Sequence, residues 1–362
     1  MREMIGTTVC SRRDVRTTGL RARVGGVYGL LGAGNLAAWL CALIAFRDSP
    51  ILLGMAFLAY SFGLRHGFDA DHIAAIDNVT RKLVEEGRRP VAAGLFFSLG
   101  HATMVVALVG VFALAVAALA SRWVFLRDFG GIVGPAVSAL FLLAIAAANG
   151  FVLIRVYQTL RSVRRMGAFV EDDLERILAT RGGLGRIFSR LFRLISRSWH
   201  MYPLGLLFGL GFDTASEVGV LGVSASQATH GLSIGSILIF PALFAAGMSL
   251  VDTTDGVIML GAYRWASLTP ARRLSYNLVV TALSVVAALA IAGVETLDLV
   301  AEKLRLDGPF WRGAAIIGDN FSAIGGAIVA LFVGGWLVAV LVDLAKRRTG
   351  LGATGQHTEE AL

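Results

Sequence analysis

The sequence predicts an all-α integral membrane protein that crosses the bilayer about eight times. Hydrophobic residues make up 56% of its 362 residues and charged residues only 16%, whereas about a quarter of the residues in an ordinary soluble domain are charged. The charged residues are also clustered, and they leave several apolar segments at least about 18 residues long, the length of a membrane-spanning helix. The sequence lacks the short apolar–polar alternation that the strands of a transmembrane barrel need.

Eight apolar segments are interpreted as membrane spans. They cover residues 25–46, 51–78, 91–120, 132–157, 202–226, 233–262, 276–294 and 313–343. The chain therefore divides into a basic N-terminal tail, spans one to four, a loop with an amphipathic helix, spans five to eight and a C-terminal tail, which cover residues 1–24, 25–157, 158–201, 202–343 and 344–362.

The distribution of positive charge predicts the orientation of these spans. Most of the 33 Lys and Arg residues lie in the two tails and in the loops near 79–90, 155–201 and 263–275. Cytoplasmic segments of membrane proteins carry such an excess, so we expect both termini to be cytoplasmic and the protein to lie in the cytoplasmic (inner) membrane. The formal net charge of +8 is attributed to this topology, and nucleic acid is not expected as a partner.

Residues 65–72 of the second span, which read RHGFDADH, are the most informative segment. An arginine, two histidines and two aspartates are expensive inside a membrane, where such residues usually face a bundle interior or an aqueous path. Two imidazoles and two carboxylates are also a good ligand set for a divalent transition metal. The segment therefore predicts a metal-ion site within the bilayer.

On a regular helix of 100° per residue, one face of the second span carries most of these groups. His66, Asp69 and His72 share it, and we expect them to face a path. Asp71 lies nearly opposite, so it pairs elsewhere unless Gly67 breaks the helix and turns it round. Arg65 precedes Asp69 by four residues and is placed to neutralise it when no cation is bound. The alternative is a charge network that packs two helices together.

Polar residues in other spans weaken that alternative. The third span carries His101 and the eighth carries Asp319-Asn320, while the fifth and sixth carry acidic pairs that each share a helix face, Asp213 with Glu217 and Asp252 with Asp255. Acidic groups at membrane depth thus outnumber the single arginine of the second span. An exogenous cation is the natural counter-charge.

Four motifs together resemble the nickel/cobalt transporter (NiCoT) family of secondary permeases. They are RHGFDADHI at 65–73, FSLGHATMVV at 97–106, LGFDTASE at 210–217 and GMSLVDTTDG at 247–256. The resemblance covers nearly the whole membrane region. Gly67 and Ala102 stand where we expect Ala and Ser in the family, and Ser216 stands where we expect Thr.

The resemblance implies eight spans with cytoplasmic termini and uptake of Ni²⁺ or Co²⁺ at low external concentration. It also implies that His66, Asp69, Asp71 and His72 are central to selectivity. We expect the departure at Gly67 to alter backbone flexibility at this site and, with it, the metal preference. The expected partners are the divalent ion and the lipid bilayer. No cofactor is expected, and no nucleotide-binding motif points to an ATP-binding subunit.

Ligand chemistry divides these residues into two groups. We predict that His66 and His72, with Asp69 or Asp71, bind the ion directly. His101, Asp213, Glu217, Asp252 and Asp255 are predicted to be nearby ligands, supports for the ligands or a relay. Because raw affinity does not separate Ni²⁺ and Co²⁺ from Cu²⁺ and Zn²⁺, selection has to rest on geometry and rigidity.

A short internal repeat in the sequence suggests a transport mechanism. The sequence GFDA at 67–70 in the second span resembles GFDT at 211–214 in the fifth, and the predicted topology runs these spans in opposite directions. Inverted repeats that meet at a mid-membrane site are a common transporter plan. We therefore expect Asp69 and Asp213 to face each other across the ion path.

Two other functions fit parts of the sequence. A nickel/cobalt efflux permease would use a similar intramembrane site, although the sequence has no His-rich cytoplasmic loop. A membrane-embedded acyltransferase would use His66 and Asp71, which have the H-x4-D spacing of some such enzymes. The enzyme hypothesis does not explain the acidic groups of the fifth and sixth spans.

Overall fold

The computed structural model describes residues 2–114, 132, 135–147, 149–151, 153–154, 195–210, 232–266, 270–318 and 320–348. Within these ranges the regular secondary structure is entirely helical, which confirms the all-α class. The helices are α1 (Arg2–Ala45), α2 (Pro50–His66), α3 (Ala70–Glu85), α4 (Ala93–Leu114), α5 (Pro135–Phe151), α6 (Met201–Phe208), α7 (Ile234–Ile237), α8 (Ile239–Ala266), α9 (Pro270–Leu304), α10 (Pro309–Gly318) and α11 (Phe321–Arg348), with a 3₁₀ turn at Ser198–His200 before α6.

Four to six segments in the described ranges are long and apolar enough to cross a membrane. Four are single segments, Gly19–Ala45, Ala93–Gly110, Ile234–Trp265 and Thr281–Ala301, and two more are the bent pairs α2–α3 and α10–α11. The fourth predicted span corresponds to the shorter helix α5. The fifth is represented only by α6, because residues 211–231 lie outside the described ranges.

The second predicted span is not a regular helix, because its chain direction changes by 51° between α2 and α3. α2 begins where Ser49 caps the backbone N–H of Leu52 and Pro50 occupies the first turn. It ends at His66, and Asp69 then adopts an extended backbone (φ −64°, ψ 140°) before α3 begins. Of the two alternatives that the sequence left open for residues 51–78, a regular helix and a helix broken at Gly67, the structure has the broken helix.

The glycine at this break is required by close packing. Gly67 has ordinary right-handed helical angles (φ −62°, ψ −15°) that any residue can adopt. A Cβ atom at this position would lie 2.7 Å from the Cβ of Val251 and 3.1 Å from the carbonyl oxygen of Met248. Gly67 thus brings the break directly against α8, the helix at the centre of the bundle.

Contacts between helices define their relative directions. α8 runs parallel to α2–α3 and antiparallel to α4, α3 runs antiparallel to α9, and α11 runs parallel to α3. The contacts between α8 and α2–α3 are Gly63–Phe244, Gly67–Val251 and Ile76–Gly256, and those between α8 and α4 are Gly94–Asp252 and Gly110–Leu238. The contacts between α3 and α9 are Asp77–Ser284 and Arg81–Thr281, and those between α11 and α3 are Ser322–Asp69 and Gly325–Ile73. These directions agree with the alternation expected for consecutive membrane spans.

The surface and the interior of the bundle follow membrane rules. Large apolar side chains face outwards along α1, α2, α9 and α11, among them Leu30, Ile44, Phe57, Leu289 and Leu341. An outer surface of this kind suits contact with lipid. The interior instead holds small residues at helix crossings, as is usual where helices pack closely in membranes.

We expect Gly63→Ala to destabilise the protein and Gly54→Ala on the same helix to leave it nearly unchanged. A Cβ at Gly63 would lie 2.0 Å from the backbone carbonyl oxygen of Phe244, whereas nothing lies within 4 Å of a Cβ at Gly54. The two helices would have to move apart, and overpacking of this kind costs about 1–3 kcal/mol. Thermal unfolding of both purified variants in the same detergent tests this, and equal unfolding temperatures would contradict the packing described.

Candidate metal site

The break between α2 and α3 places three ionisable side chains at the centre of the bundle. His66 is the last residue of α2, Asp69 lies in the break and His72 is in the first turn of α3. α4 adds His101 from one side and α8 adds Asp252 from another. All five side chains are buried, with at most 3% of any of these residues exposed.

Three imidazoles form the core of this site, and we call His66, His72 and His101 the histidine cluster. Nε2 of His66 lies 3.1 Å from Nε2 of His101, and the three ring centroids are 4.6–4.8 Å apart. One nitrogen from each ring can be chosen so that all three lie within 4.8 Å of one another. Because metal–imidazole bonds are about 2.0–2.1 Å long, small ring rotations suffice to bring three nitrogens onto one ion.

Two carboxylates contact the histidine cluster at Nδ1 atoms of its rings. Oδ2 of Asp69 lies 2.7 Å from Nδ1 of His66, and Oδ1 of Asp252 lies 3.3 Å from Nδ1 of His72. A carboxylate that accepts a hydrogen bond from Nδ1–H fixes the ring orientation and leaves Nε2 as the metal-binding atom. Such pairs are typical of the surroundings of metal-binding histidines.

A second broken helix completes the site from the other side. α10 and α11 meet at an angle of 63°, and the hydroxyl of Ser322 in the first turn of α11 donates a hydrogen bond to Oδ1 of Asp69. A Cβ at Gly325 would lie 1.9 Å from the carbonyl oxygen of Phe68. The sequence did not identify Ser322, although Asp319-Asn320 and the Gly325-Gly326 pair mark an interrupted apolar segment of the kind that signals a discontinuous helix.

The remaining residues expected at the site lie in different places. Asp71 is half-buried in the first turn of α3, and Arg65 is exposed at the end of α2. Arg65 therefore does not neutralise Asp69, whose carboxylate contacts His66 and Ser322 instead. Asp255 is buried one turn beyond Asp252 on α8.

The bend also separates residues that a regular helix would align. On a regular helix Asp77 would share the face of His66, but it accepts hydrogen bonds from the hydroxyls of Tyr263 and Ser284 instead. Asp213 and Glu217 lie outside the described residues, as does Asp319. The expected approach of Asp69 to Asp213, and with it the inverted repeat, stays a prediction.

The fold and the site define a class: a polytopic α-helical membrane protein with buried imidazoles and carboxylates where discontinuous helices meet. Residues 52–342 match the family model described as high-affinity nickel-transport protein. The chain belongs to this family, as the four sequence motifs predicted.

Curated relatives are similar over most of their length. The high-affinity nickel transport protein of Cupriavidus necator is 51% identical over 327 residues, which are 90% of this chain and 93% of the relative. The nickel transporter NixA of Staphylococcus aureus is 44% identical over 83% of this chain and 88% of its own length. The cobalt transport protein NhlF of Rhodococcus rhodochrous is 44% identical over 82% and 84%.

These relatives are transport proteins, and the acyltransferase hypothesis for His66 and Asp71 is therefore abandoned. No solved structure matches the chain significantly.

Gly325→Ala should impair metal uptake, and Gly326→Ala should not. The added methyl group at Gly325 meets the backbone of Phe68, whereas nothing lies within 4 Å of a Cβ at Gly326. The displaced α11 would withdraw Ser322 from Asp69, and losing the support of a metal ligand typically lowers affinity about 10–100-fold. Radioactive nickel and cobalt uptake at matched expression measures this. Equal uptake by the two variants would show that the α10–α11 break does not support the site.

Proposed function

We propose that this protein is a high-affinity secondary transporter that imports Ni²⁺, Co²⁺ or both across the cytoplasmic membrane. The observation that carries the proposal is the histidine cluster, buried at the junction of two discontinuous helices. The names of the relatives support the choice of Ni²⁺ and Co²⁺ as substrates. The relative from Cupriavidus necator is named for nickel and the relative from Rhodococcus rhodochrous is named for cobalt.

In this proposal the ion is bound by Nε2 of His66, His72 and His101. Asp69 and Asp252 hold the rings through Nδ1, and they supply negative charge next to the cation. Of the roles that the sequence left open for His101, a nearby ligand, a support or a relay, the proposal assigns it that of a direct ligand. We assign Asp71 and Arg65 to the entrance of the ion path, because neither side chain is fully buried.

Selectivity would follow from the rigidity of this arrangement. The rings contact one another and the aromatic side chains of Phe97 and Phe244, so the spacing of the nitrogens is held by packing. Imidazole suits Ni²⁺ as well as Cu²⁺ and Zn²⁺, and geometry has to separate them. The absence of thiolate among these donors favours release, because soft ligands would hold the ion too tightly for turnover.

The proposed direction is inward, with both termini in the cytoplasm. A membrane potential of 100 mV, negative inside, favours entry of a divalent cation by about 4.6 kcal/mol. The positive charge of the tails and of the loops near 79–90 and 263–275 supports the orientation. In this orientation α2–α3, α8 and α11 run from the outside towards the cytoplasm.

His66→Ala and His101→Ala should each reduce accumulation of ⁶³Ni²⁺ and ⁵⁷Co²⁺ at nanomolar metal to near background. His200→Ala is the matched control, because this histidine lies outside the cluster, next to Trp199. The assay uses cells without uptake systems of their own, at matched expression, and the isotope ratio gives the metal preference.

Uptake at the wild-type level in His66→Ala would reject the assignment of the histidine cluster. Lower accumulation in cells that carry the wild-type protein than in cells without it, with greater metal tolerance, would reject import in favour of efflux.

A further inference from the structure

A second buried polar cluster lies beyond the histidine cluster, towards the C-terminal ends of α3 and α8. We call it the inner cluster, and it contains Asp77 and Arg81 of α3, Asp255 and Tyr263 of α8, and Thr281 and Ser284 of α9. His72 and Asp77 are five residues apart on α3, which is about 7.5 Å along the helix axis. Asp252 and Asp255 are about 4.5 Å apart along α8 by the same measure.

Asp77 and Arg81 have hydrogen-bond partners within the inner cluster. Asp77 accepts hydrogen bonds from Tyr263 and from Ser284, the latter at 3.0 Å. Arg81 donates to Thr281 at 2.6 Å and to Asn78 at 3.1 Å, and its positive charge acts on Asp77. Each carboxylate oxygen of Asp77 therefore accepts one hydrogen bond and keeps a further lone pair. Nε of Arg81 is buried and has no hydrogen-bond partner among the described residues.

Asp255 differs from Asp77 in its hydrogen bonding. It is only 5% exposed, yet neither of its carboxylate oxygens has a hydrogen-bond partner among the described residues. The charged groups that act on it are the carboxylates of Asp77 and Asp252, which repel a negative charge. A buried carboxylate without a donor or counter-ion is strongly disfavoured, and an absent ion is one of the standard explanations for such a group.

The hydroxyl group of Thr80 is a second buried polar group of this kind. Oγ1 of Thr80 is fully buried and lacks a hydrogen-bond partner among the described residues. Thr80 lies three residues after Asp77, on nearly the same face of α3. Buried carboxylate and hydroxyl oxygens without donors form a ligand set for a hard or borderline divalent cation.

We propose that Asp255 and Asp77 form an oxygen-lined inner station for the transported divalent ion, between the histidine cluster and the C-terminal ends of α3 and α8. This inference rests on the proposed transport function. Imidazoles bind Ni²⁺ and Co²⁺ more firmly than carboxylate and hydroxyl oxygens do. The ion therefore passes from tighter to weaker ligands, which favours release, and the two sets are separated by about 7.5 Å along the axis of α3.

According to the proposal, Asp255 is needed for transport of the ion but not for its binding to the histidine cluster. The variant Asp255→Asn tests this in purified, full-length protein and in cells. We expect the affinity of the purified variant for ⁶³Ni²⁺ to stay within about twofold of wild type, because the histidine cluster is intact. Uptake in cells should fall about tenfold or more in maximal rate, with little change in the half-saturating concentration. Asp48→Asn, an exposed change of the same chemistry, should alter neither quantity.

Mn²⁺ is the second probe, because it prefers oxygen ligands. Electron paramagnetic resonance of the purified protein should show bound Mn²⁺ in the wild type and in His101→Ala, and none in Asp255→Asn. Should Asp255→Asn fail to fold, Asp77→Asn carries the same expectation, and Asp255→Glu should retain Mn²⁺ binding.

Three results would overturn the inner station. A parallel loss of Ni²⁺ affinity and uptake in Asp255→Asn would make Asp255 a support of the histidine cluster. Normal uptake in that variant would make it a packing residue, and absence of Mn²⁺ binding in the wild type would indicate a carboxyl group that carries only protons. Failure of the proposed transport function is distinct, because wild-type protein would then neither bind nor accumulate Ni²⁺.

Discussion

The interruption of the helix between His66 and Ala70 is the constraint on which the rest of the site depends. It turns the chain by 51° and lets His66 and His72, six residues apart, bring their rings to a centroid distance of 4.6 Å. The backbone N–H groups of Gly67, Phe68 and Asp69 still donate hydrogen bonds to carbonyl groups of the preceding turn. Irregular backbone of this kind is tolerated at membrane depth where neighbouring protein covers it. α8 covers the break at Gly67 and α11 covers it at Phe68.

Both covering contacts depend on glycine, and both helices also carry a side chain into the site. α8 supplies Asp252 to His72, and α11 supplies Ser322 to Asp69. A movement of α11 relative to α3 would therefore change the support of Asp69 and the closure of the break together. Such coupling between helix packing and ligand geometry is what alternate exposure of an ion site to the two sides of a membrane requires.

The sequence predicted the class and the relative directions of the described helices, because composition and charge distribution determine these directly. It placed His66, Asp69 and His72 together, as the structure does. It could not predict all of their neighbours, since helical angles hold only while the helix is regular. The break at Asp69 removed Asp77 from the face of His66, and Asp77 instead contacts Tyr263 and Ser284. Ser322 joins the site through a contact between helices far apart in sequence, for which spacing along the chain gives no signal.

The most direct test of the account is X-ray absorption at the nickel edge of the purified, Ni²⁺-loaded protein. The account predicts an inner coordination sphere with three imidazole nitrogens at about 2.0–2.1 Å, and one imidazole fewer in His101→Ala. A spectrum that shows only oxygen ligands, or one that is unchanged in His101→Ala, would contradict it.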